Sequence, residues 1–536
     1  MAKRIFIYLI LALMLPNIAL CFTEGMTLTE NLTNLVLPAG LLMLLASVSR
    51  NAGKTVWLMF PLIFFAAFQL VLLYLFGEGI ISVDMFLNVV TTNTGEIEEL
   101  LGNLVPAVAG VFVVYIPLLV VASVAMRRGA LLPPAFRHKA VRVGCAATAA
   151  GTVLLAVCYA TAGGYRILTR LYPANVCYNL ALAIGRSAVS ANYASASAAF
   201  TFHARSTHPA DSTEVYVLVI GETARARNFS LYGYSRNTNP LLSRTPHLTV
   251  FTDVTSQSNT THKSVPMLLT AATADDFSRL YHEKGILAAF REAGFHTTFI
   301  SNQLPNHSFI DFLGMQADDC IFLKKEGDMR RDISDLQLVR KLDEVLARRR
   351  KKEFVVLHTY GSHFNYRERY PRRTAVFLPD DKTDAKYENR AELRNAYDNS
   401  IVFTDRVLHD IISSLKRRGA QAAMLYTSDH GENLFDDSRR LFLHASPRAS
   451  IYELHVPFLL WLSDTYITAY PDNAAAVSAN RRKRAESSVT TFHTILQLAG
   501  IDTPYADRSL SVADTSYAAR QRKYINDHNE PQPLPY

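Results

Sequence analysis

The chain has 536 residues, with 55 Lys and Arg against 47 Asp and Glu, for a formal net charge of +8. Much of the excess falls in two runs, 348–352 and 481–484, which read as solvated surface, or next as contacts for anionic lipid headgroups, rather than as a nucleic-acid footprint. Five cysteines, none in a CxxC pair, exclude a thiolate metal site, and only Cys177 and Cys320 fall outside apolar stretches, so one disulfide at most is open to them.

Five apolar stretches come first, at 5–22, 35–48, 56–76, 105–126 and 143–161. Most approach the roughly 20 residues that span hydrocarbon, the second being marginal by length. A signal peptide has one such region and then stops, so the repetition predicts that the first is kept as an anchor. Lys3 and Arg4 precede the first stretch, Arg50 and Lys54 separate the second from the third, and Arg127, Arg128, Arg137, Lys139 and Arg142 separate the fourth from the fifth. The loops 23–34 and 77–103 contain no Lys or Arg. Positive charge therefore alternates with the crossings, which predicts a cytoplasmic amino terminus and places everything beyond 161 outside. Arg166 and Arg170 are the one exception.

Residues 162–212 are rich in Gly, Tyr, Ser and Ala with few charges and predict a bridge, the small-residue run 190–199 suiting a linker or a surface-hugging helix. Beyond it, apolar strand patterns (215–220, 297–300, 354–359, 422–427, 456–462) alternate with helical ones (264–272, 283–293, 332–350, 388–418). This alternation predicts an α/β domain with a mostly parallel central sheet covered by helices on both faces, long enough for a sizeable core. The expected organisation is a five-helix transmembrane domain at 1–161, a bridge at 162–212 and a soluble metal-dependent domain at 213–536.

Two islands stand at strand mouths. Glu222 follows the run ending at Gly221, and Asp429 and His430 follow the run ending at Ser428. A carboxylate at one mouth and an Asp-His pair at another suit Zn²⁺ or Mn²⁺. In open α/β sheets the crevice beyond the strand carboxyl ends is where ligands collect. A third cluster, Thr260-Thr261-His262-Lys263-Ser264-Val265-Pro266, directly precedes a helical run. A threonine there caps orphan N–H groups. The same geometry also receives a phosphate, and a divalent cation beside a threonine hydroxyl makes it a nucleophile at neutral pH. His358 and His409 read as structural or surface residues.

Gly221-Glu222-Thr223-Ala224-Arg225 with Asn228-Phe229-Ser230-Leu231-Tyr232-Gly233-Tyr234, then Thr261 ahead of Ser264-Val265-Pro266, then Ser428-Asp429-His430-Gly431-Glu432, all behind five apolar spans, resemble the membrane-anchored phosphoethanolamine transferases of Gram-negative envelopes. That family belongs to the alkaline phosphatase and sulfatase superfamily, and the likeness covers nearly the whole chain. It implies a principal zinc held by Glu222, Thr261, Asp429 and His430, with Thr261 rather than Thr260 becoming phosphoethanolaminated; Mn²⁺ is the lesser expectation. His363 and His444 match histidines that hold a second metal or the substrate phosphate. Thr92-Asn93-Thr94-Gly95-Glu96 is similar to the family's headgroup-binding segment, which makes Asn93 and Glu96 donor-site candidates, and Asn302 and Gln303 loosely match substrate contacts.

The resemblance implies a two-step transfer of phosphoethanolamine from phosphatidylethanolamine to an envelope glycolipid, lipid A or core oligosaccharide, by a monomer of the bacterial inner membrane whose catalytic domain is periplasmic. A phosphoglycerol transferase or a phosphodiesterase of the same superfamily is the alternative. Sulfatase chemistry is disfavoured, since Leu268 stands where a Ser-x-Pro-x-Arg pattern begun at Ser264 requires Arg. His262, Lys263 and Met267 around the nucleophile, and the scarcity of cysteine, depart from many lipid A-modifying members and leave the acceptor open.

Overall fold

Uncharged runs of Leu, Ile, Val and Phe satisfy their backbone groups in hydrocarbon only as helices. In the computed structural model, which describes residues 1–77, 79–91, 94–161, 165–306, 308–324, 334–382, 384–446 and 448–535, these runs build α1 (Ala2–Thr23), α2 (Leu28–Ala46), α3 (Ala52–Leu58), α4 (Phe60–Phe76), α5 (Val83–Thr91), α6 (Thr94–Arg127) and α7 (Pro134–Thr161). Contacts divide the chain into one unit of Met1–Val89 with Leu100–Gly185 and another of Val90–Glu99 with Arg186–Tyr536.

In the first unit four helical segments, Ala2–Thr23, Leu28–Ala46, Leu104–Arg127 and Pro134–Thr161, are each long and apolar enough to cross a membrane, and α3 with Phe60–Tyr74 makes a fifth candidate bent by 59°. The bend falls at Met59, just before Pro61 enters the first turn of α4 without an N–H to donate. The second span exceeds its apolar pattern because the polar residues before it are helical too. Thr27 and Glu30 form a reciprocal capping box, Thr27 Oγ1 accepting the Glu30 N–H at 3.3 Å and Glu30 Oε2 accepting the Thr27 N–H at 2.7 Å. Small residues let α2 and α7 touch: a Cβ on Gly40 would lie 2.5 Å from Thr148 N, and one on Gly151 would lie 2.6 Å from Leu37 Cα. Arg137, in the first turn of α7, donates to Ser47 O at 2.7 Å and satisfies the carboxyl end of α2. Further along the chain lies α8 (Ala174–Ala191).

The second unit is built on a seven-stranded sheet. Its strands are β1 (Glu214–Gly221), β2 (Leu248–Val250), β3 (His296–Ser301), β4 (Asp319–Phe322), β5 (Lys352–His358), β6 (Gln421–Ser428) and β7 (Phe458–Leu462), in the order β2-β7-β6-β1-β5-β3-β4. The five from β6 to β4 run parallel; at one edge β7 pairs antiparallel with β6, and β2 pairs antiparallel with β7. All eight residues of β1 are buried, as a strand covered on both faces requires. Tyr216, Leu218 and Ile220 enter one continuous core with residues of α9 (Thr261–Leu269), α10 (Ile286–Glu292) and α13 (Ser487–Leu498). Val215, Val217 and Val219, pointing the other way, are buried as well. The helices α11 (Leu336–Ala347) and α12 (Arg390–Arg418) complete the strand-helix alternation. All five cysteines are free thiols.

Candidate active site

Parallel register places the site. Gly221 pairs with Ser428, and Ile220 pairs with both Thr427 and His358, so Glu222, the Asp429–His430 pair and the segment from Thr359 leave the sheet side by side at its carboxyl edge. The turn after β1 passes through Thr223 at φ 62°, a region costly for a β-branched residue. Three hydrogen bonds hold it there: Thr223 N–H to Asp429 Oδ1 at 3.0 Å, Tyr397 O–H to Thr223 O at 2.7 Å, and Arg225 N–H to Tyr397 Oη at 2.9 Å. Gly361 makes the opposite wall, where a Cβ would lie 2.7 Å from Glu222 O.

Thr260 occupies the cap position of α9, yet its side chain makes no capping bond and lies 3.1 Å from Ser258 Oγ instead. Thr261, the first residue of α9, places its Oγ1 3.1 Å from Glu222 Oε1 and 3.0 Å from His430 Nε2. His430 Nε2 lies 3.2 Å from Asp429 Oδ2 and 3.6 Å from Glu222 Oε1. The ligand-capable atoms of Glu222, Asp429 and His430 all fall within 4.8 Å of one another, and all three residues are buried. The structure thus brings together the four residues singled out from sequence.

This donor set fits a divalent cation. His430 Nδ1 lies 2.9 Å from Gly431 O, which places the ring proton there and turns the Nε2 lone pair toward the two carboxylates. Among the described residues no Lys or Arg pairs with Glu222 or Asp429. Buried acids beside a nitrogen lone pair and a hydroxyl oxygen lack positive charge, and their types and number are those of a zinc site. Burial opposes protonation of His430, but Asp429 and Glu222 outweigh it and raise its pKa above the usual value.

The supporting contacts are equally specific. Asp429 Oδ1 also accepts the His430 N–H at 2.7 Å, and Ser264 Oγ lies 3.4 Å from Asp429 Oδ2. Gln303 Nε2 donates to Glu222 Oε2 and to Thr359 O, both at 3.0 Å, so it orients the acid rather than reaching outward. Asn302 Nδ2 donates to Asp335 Oδ1 at 2.7 Å. The His444 ring lies 4.2 Å from that of His430 and 6.1 Å from that of His363. Nδ1 of His444 is 3.3 Å from Glu432 Oε1, and Nδ1 of His363 is 2.6 Å from Phe364 O. Burial pushes the His363 pKa down to about 4 and, with His430 adding to it, that of His444 down to about 3, so both rings are neutral at physiological pH. His444 sits between Leu443 and Ala445, at φ 67° and 62°, and such strain in non-glycine residues accompanies functional loops.

Sequence reasoning did not foresee Thr223, Tyr397, Gln303 as the Glu222 partner, or Glu432 as the His444 partner. Glu432 closes the Asp-His-Gly-Glu island and was open to suspicion, whereas nothing near Tyr397 marks it. His358 is buried against Ser301 Oγ at 3.2 Å, and His409 lies beside Asp410. Asn93 lies outside the described residues, as does the side chain of Glu96, whose backbone falls in α6.

An anchored helical region followed by a parallel-sheet domain with this edge chemistry defines the class, and comparison agrees. The sulfatase family matches residues 214–501, more than half of the chain, and the chain belongs to that family. The Kdo(2)-lipid A phosphoethanolamine 7''-transferase of Escherichia coli (strain K12) is 30% identical over 306 residues, 55% of this chain and 52% of that protein. The chain therefore matches over about half the length of such curated relatives. The C-terminal periplasmic domain of EptC from Escherichia coli, solved in complex with Zn, is 25% identical with a TM-score of 0.57, covering 62% of this chain and 96% of that one. The integral membrane lipooligosaccharide phosphoethanolamine transferase A of Neisseria meningitidis covers 95% of this chain and 98% of its own, with a TM-score of 0.76 and 20% identity, a likeness of fold. The family name does not set the reaction: Ser264 is buried with its hydroxyl on Thr260 O at 2.9 Å, and Leu268 stands where the sulfatase pattern needs Arg.

Proposed function

We infer that this chain transfers phosphoethanolamine from phosphatidylethanolamine to an envelope glycolipid, lipid A or core oligosaccharide, through an intermediate on Thr261. The observation that carries the reading is the shared position of Thr261 Oγ1, 3.1 Å from Glu222 Oε1 and 3.0 Å from His430 Nε2, at the first residue of α9. Relatives named as phosphoethanolamine transferases support the choice of transferred group. Glu222, Asp429, His430 and Thr261 would hold Zn²⁺. When bound, such an ion lowers the pKa of an oxygen it touches and neutralises charge on phosphoryl oxygens.

In the first step Thr261 Oγ1 forms a bond to phosphorus as the bond to the glycerol oxygen breaks, and the proton lost by Thr261 ends on the released diacylglycerol. In the second step an oxygen of the acceptor bonds to phosphorus, the Thr261 oxygen leaves, and the acceptor's proton restores the hydroxyl. His363, whose ring proton goes to Phe364 O and whose Nε2 lone pair is left to a metal, and His444 would hold a second metal or meet the substrate phosphate, and the N–H groups opening α9 add a favourable dipole. Asn93 and Glu96 enter as donor-headgroup contacts on the resemblance of 92–96 alone. The reading places 1–161 as the inner-membrane anchor, 162–212 as the bridge and 213–536 as the periplasmic catalytic domain of a monomer. Tethering suits the task, because donor and acceptor both reside in lipid and their effective concentration rises.

Fluorescent phosphatidylethanolamine supplied to the full chain tests this. A transferase releases labelled diacylglycerol and leaves about 123 Da, the phosphoethanolamine increment of covalent catalysis, on the Thr261 peptide. Release without that increment would show a phosphodiesterase using water directly, and no release would remove the enzymatic reading.

A further inference from the structure

Among the described residues of the second unit, the large apolar side chains left exposed are Val189, Met315, Val376 and Leu378, at 45%, 59%, 59% and 66%. Two of these four share one loop. Its residues 371–382 read Pro-Arg-Arg-Thr-Ala-Val-Phe-Leu-Pro-Asp-Asp-Lys, with Arg372, Arg373 and Lys382 also exposed and making no ion pair among the described residues. Of the two acids, Asp380 is turned inward, accepting from Tyr370 Oη at 2.6 Å, so Asp381 alone offsets three cations.

The exposed tips are not an accident of a loose loop. Buried Asn399 on α12 accepts the N–H groups of Val376 at 2.8 Å and Phe377 at 2.9 Å through Oδ1, and returns Nδ2 to Phe377 O at 2.9 Å. Phe377 is tucked beneath the Arg236 guanidinium, 5.0 Å from its ring centre. The backbone is thus held so that residues 376 and 378 face outward while 377 anchors. Rigid presentation of apolar side chains in a loop that also exposes three cations suits a surface that is apolar beneath and anionic above.

Position points the same way. A cavity of about 320 Å³ runs along the carboxyl edge from Gly361, in contact with Glu222 O, to Pro371 at the start of this loop. The basic runs at 348–352 and 481–484 lack these features: Lys352 opens β5 at the opposite edge of the sheet, and Arg348 and Arg484 face Asp319 and Asp253. We propose that the loop 371–382 docks on the anionic phospholipid surface of the bilayer that holds the helical unit, seating Val376 and Leu378 at the headgroup–acyl boundary. The proposal rests on that anchoring and not on the reaction inferred above, so either can fail alone.

The full chain carrying Trp57→Phe and Leu378→Trp, one copy per nanodisc, tests it. Trp461 lies in the core and is out of reach of lipid quenchers. In discs containing brominated phosphatidylglycerol the added indole should lose most of its emission, and Arg372→Glu with Arg373→Glu should restore it, as should high salt. An indole unquenched in anionic discs, or quenched equally in purely zwitterionic ones and unmoved by the charge reversals, overturns the proposal. So does a blue shift seen only when two copies share a disc, which would assign the loop to a second copy of the chain.

Discussion

β1 begins at Glu214 and is followed directly by Glu222, and each of these buried carboxylates has a histidine beside it. At the amino edge Glu214 Oε2 accepts from His208 Nδ1 and from Tyr216 Oη, both at 2.9 Å, Ser212 Oγ reaches its other oxygen, and Lys352 Nζ stands 3.6 Å away. Burial raises the Glu214 pKa, and the bonds from His208 and Ser212 outweigh it, so the carboxyl sits below its usual value. At the carboxyl edge Glu222 and Asp429 receive, among the described residues, neutral donors alone and face the lone pair of His430. A histidine next to a buried acid therefore marks a site only where the protein leaves positive charge unsupplied. Cavity size would have chosen wrongly: the space at the amino edge, lined by His208, His493 and Asp507, holds about 490 Å³ against about 320 Å³ beside Gly361.

Thr261→Ala should break the carboxyl edge most completely. Turnover of fluorescent phosphatidylethanolamine is expected to fall by about 1,000-fold or more, because among the described residues no other hydroxyl shares both Glu222 and His430. Thr260→Ala, whose hydroxyl touches Ser258, should stay within about tenfold of wild type. Comparable losses in the two variants would move the nucleophile off Thr261.

Chelation acts on the same edge. It should abolish turnover while the domain remains folded, with a stability loss of about 3 kcal/mol relative to protein held at a hundredfold excess of metal over Kd. Added Zn²⁺ should restore both activity and denaturation midpoint; restoration by Mn²⁺ alone would reassign the metal.

Gln303→Ala sharpens the comparison, since Gln303 donates directly to Glu222 Oε2. Zinc affinity, read by competition with a fluorescent chelator, should weaken by about 10–100-fold, as for other residues that orient a ligand. Unchanged affinity would show that the Glu222 carboxylate needs no such restraint. Glu214→Gln is the control at the other end. It should cost about 2 kcal/mol of stability through weakened buried hydrogen bonds and leave metal affinity and kcat unchanged.

The architecture was largely legible in the sequence, because its determinants are local and repetitive: unbroken apolar runs for five spans, strand-helix alternation for the sheet. The second span was underestimated because its polar first turn is helical through the Thr27–Glu30 box, which no hydropathy pattern records. The antiparallel direction of β7 was equally invisible, since a strand's composition does not encode its sense. Glu222, Asp429 and His430 could be named because parallel register converts strand ends into neighbours. Gln303 and Tyr397 could not, because their roles depend on side chains crossing between segments some 80 and 170 residues apart in sequence.

The smallest effect belongs to His493, on α13 at the amino edge, whose Nδ1 accepts the Asp507 N–H at 3.0 Å. A protonated ring cannot accept that bond, and burial lowers the His493 pKa from 6.5 to about 4. Between those values the unfolded chain takes up a proton that the folded chain refuses, so stability falls as pH drops from 6.5 toward 4 and gains nothing from this group above 6.5. At pH 5.5 the deficit amounts to roughly 1.4 kcal/mol by linkage from those two pKa values. His493→Gln keeps an acceptor and removes the titration. Urea denaturation of the zinc-loaded protein at pH 7.5 and 5.5 should show wild type losing roughly 1 kcal/mol more than the variant. Equal losses would mean that the amino-edge histidine is free to protonate in place. The contrast with His430, whose neighbours favour rather than refuse the proton, would then rest on Glu214 and Glu222 alone.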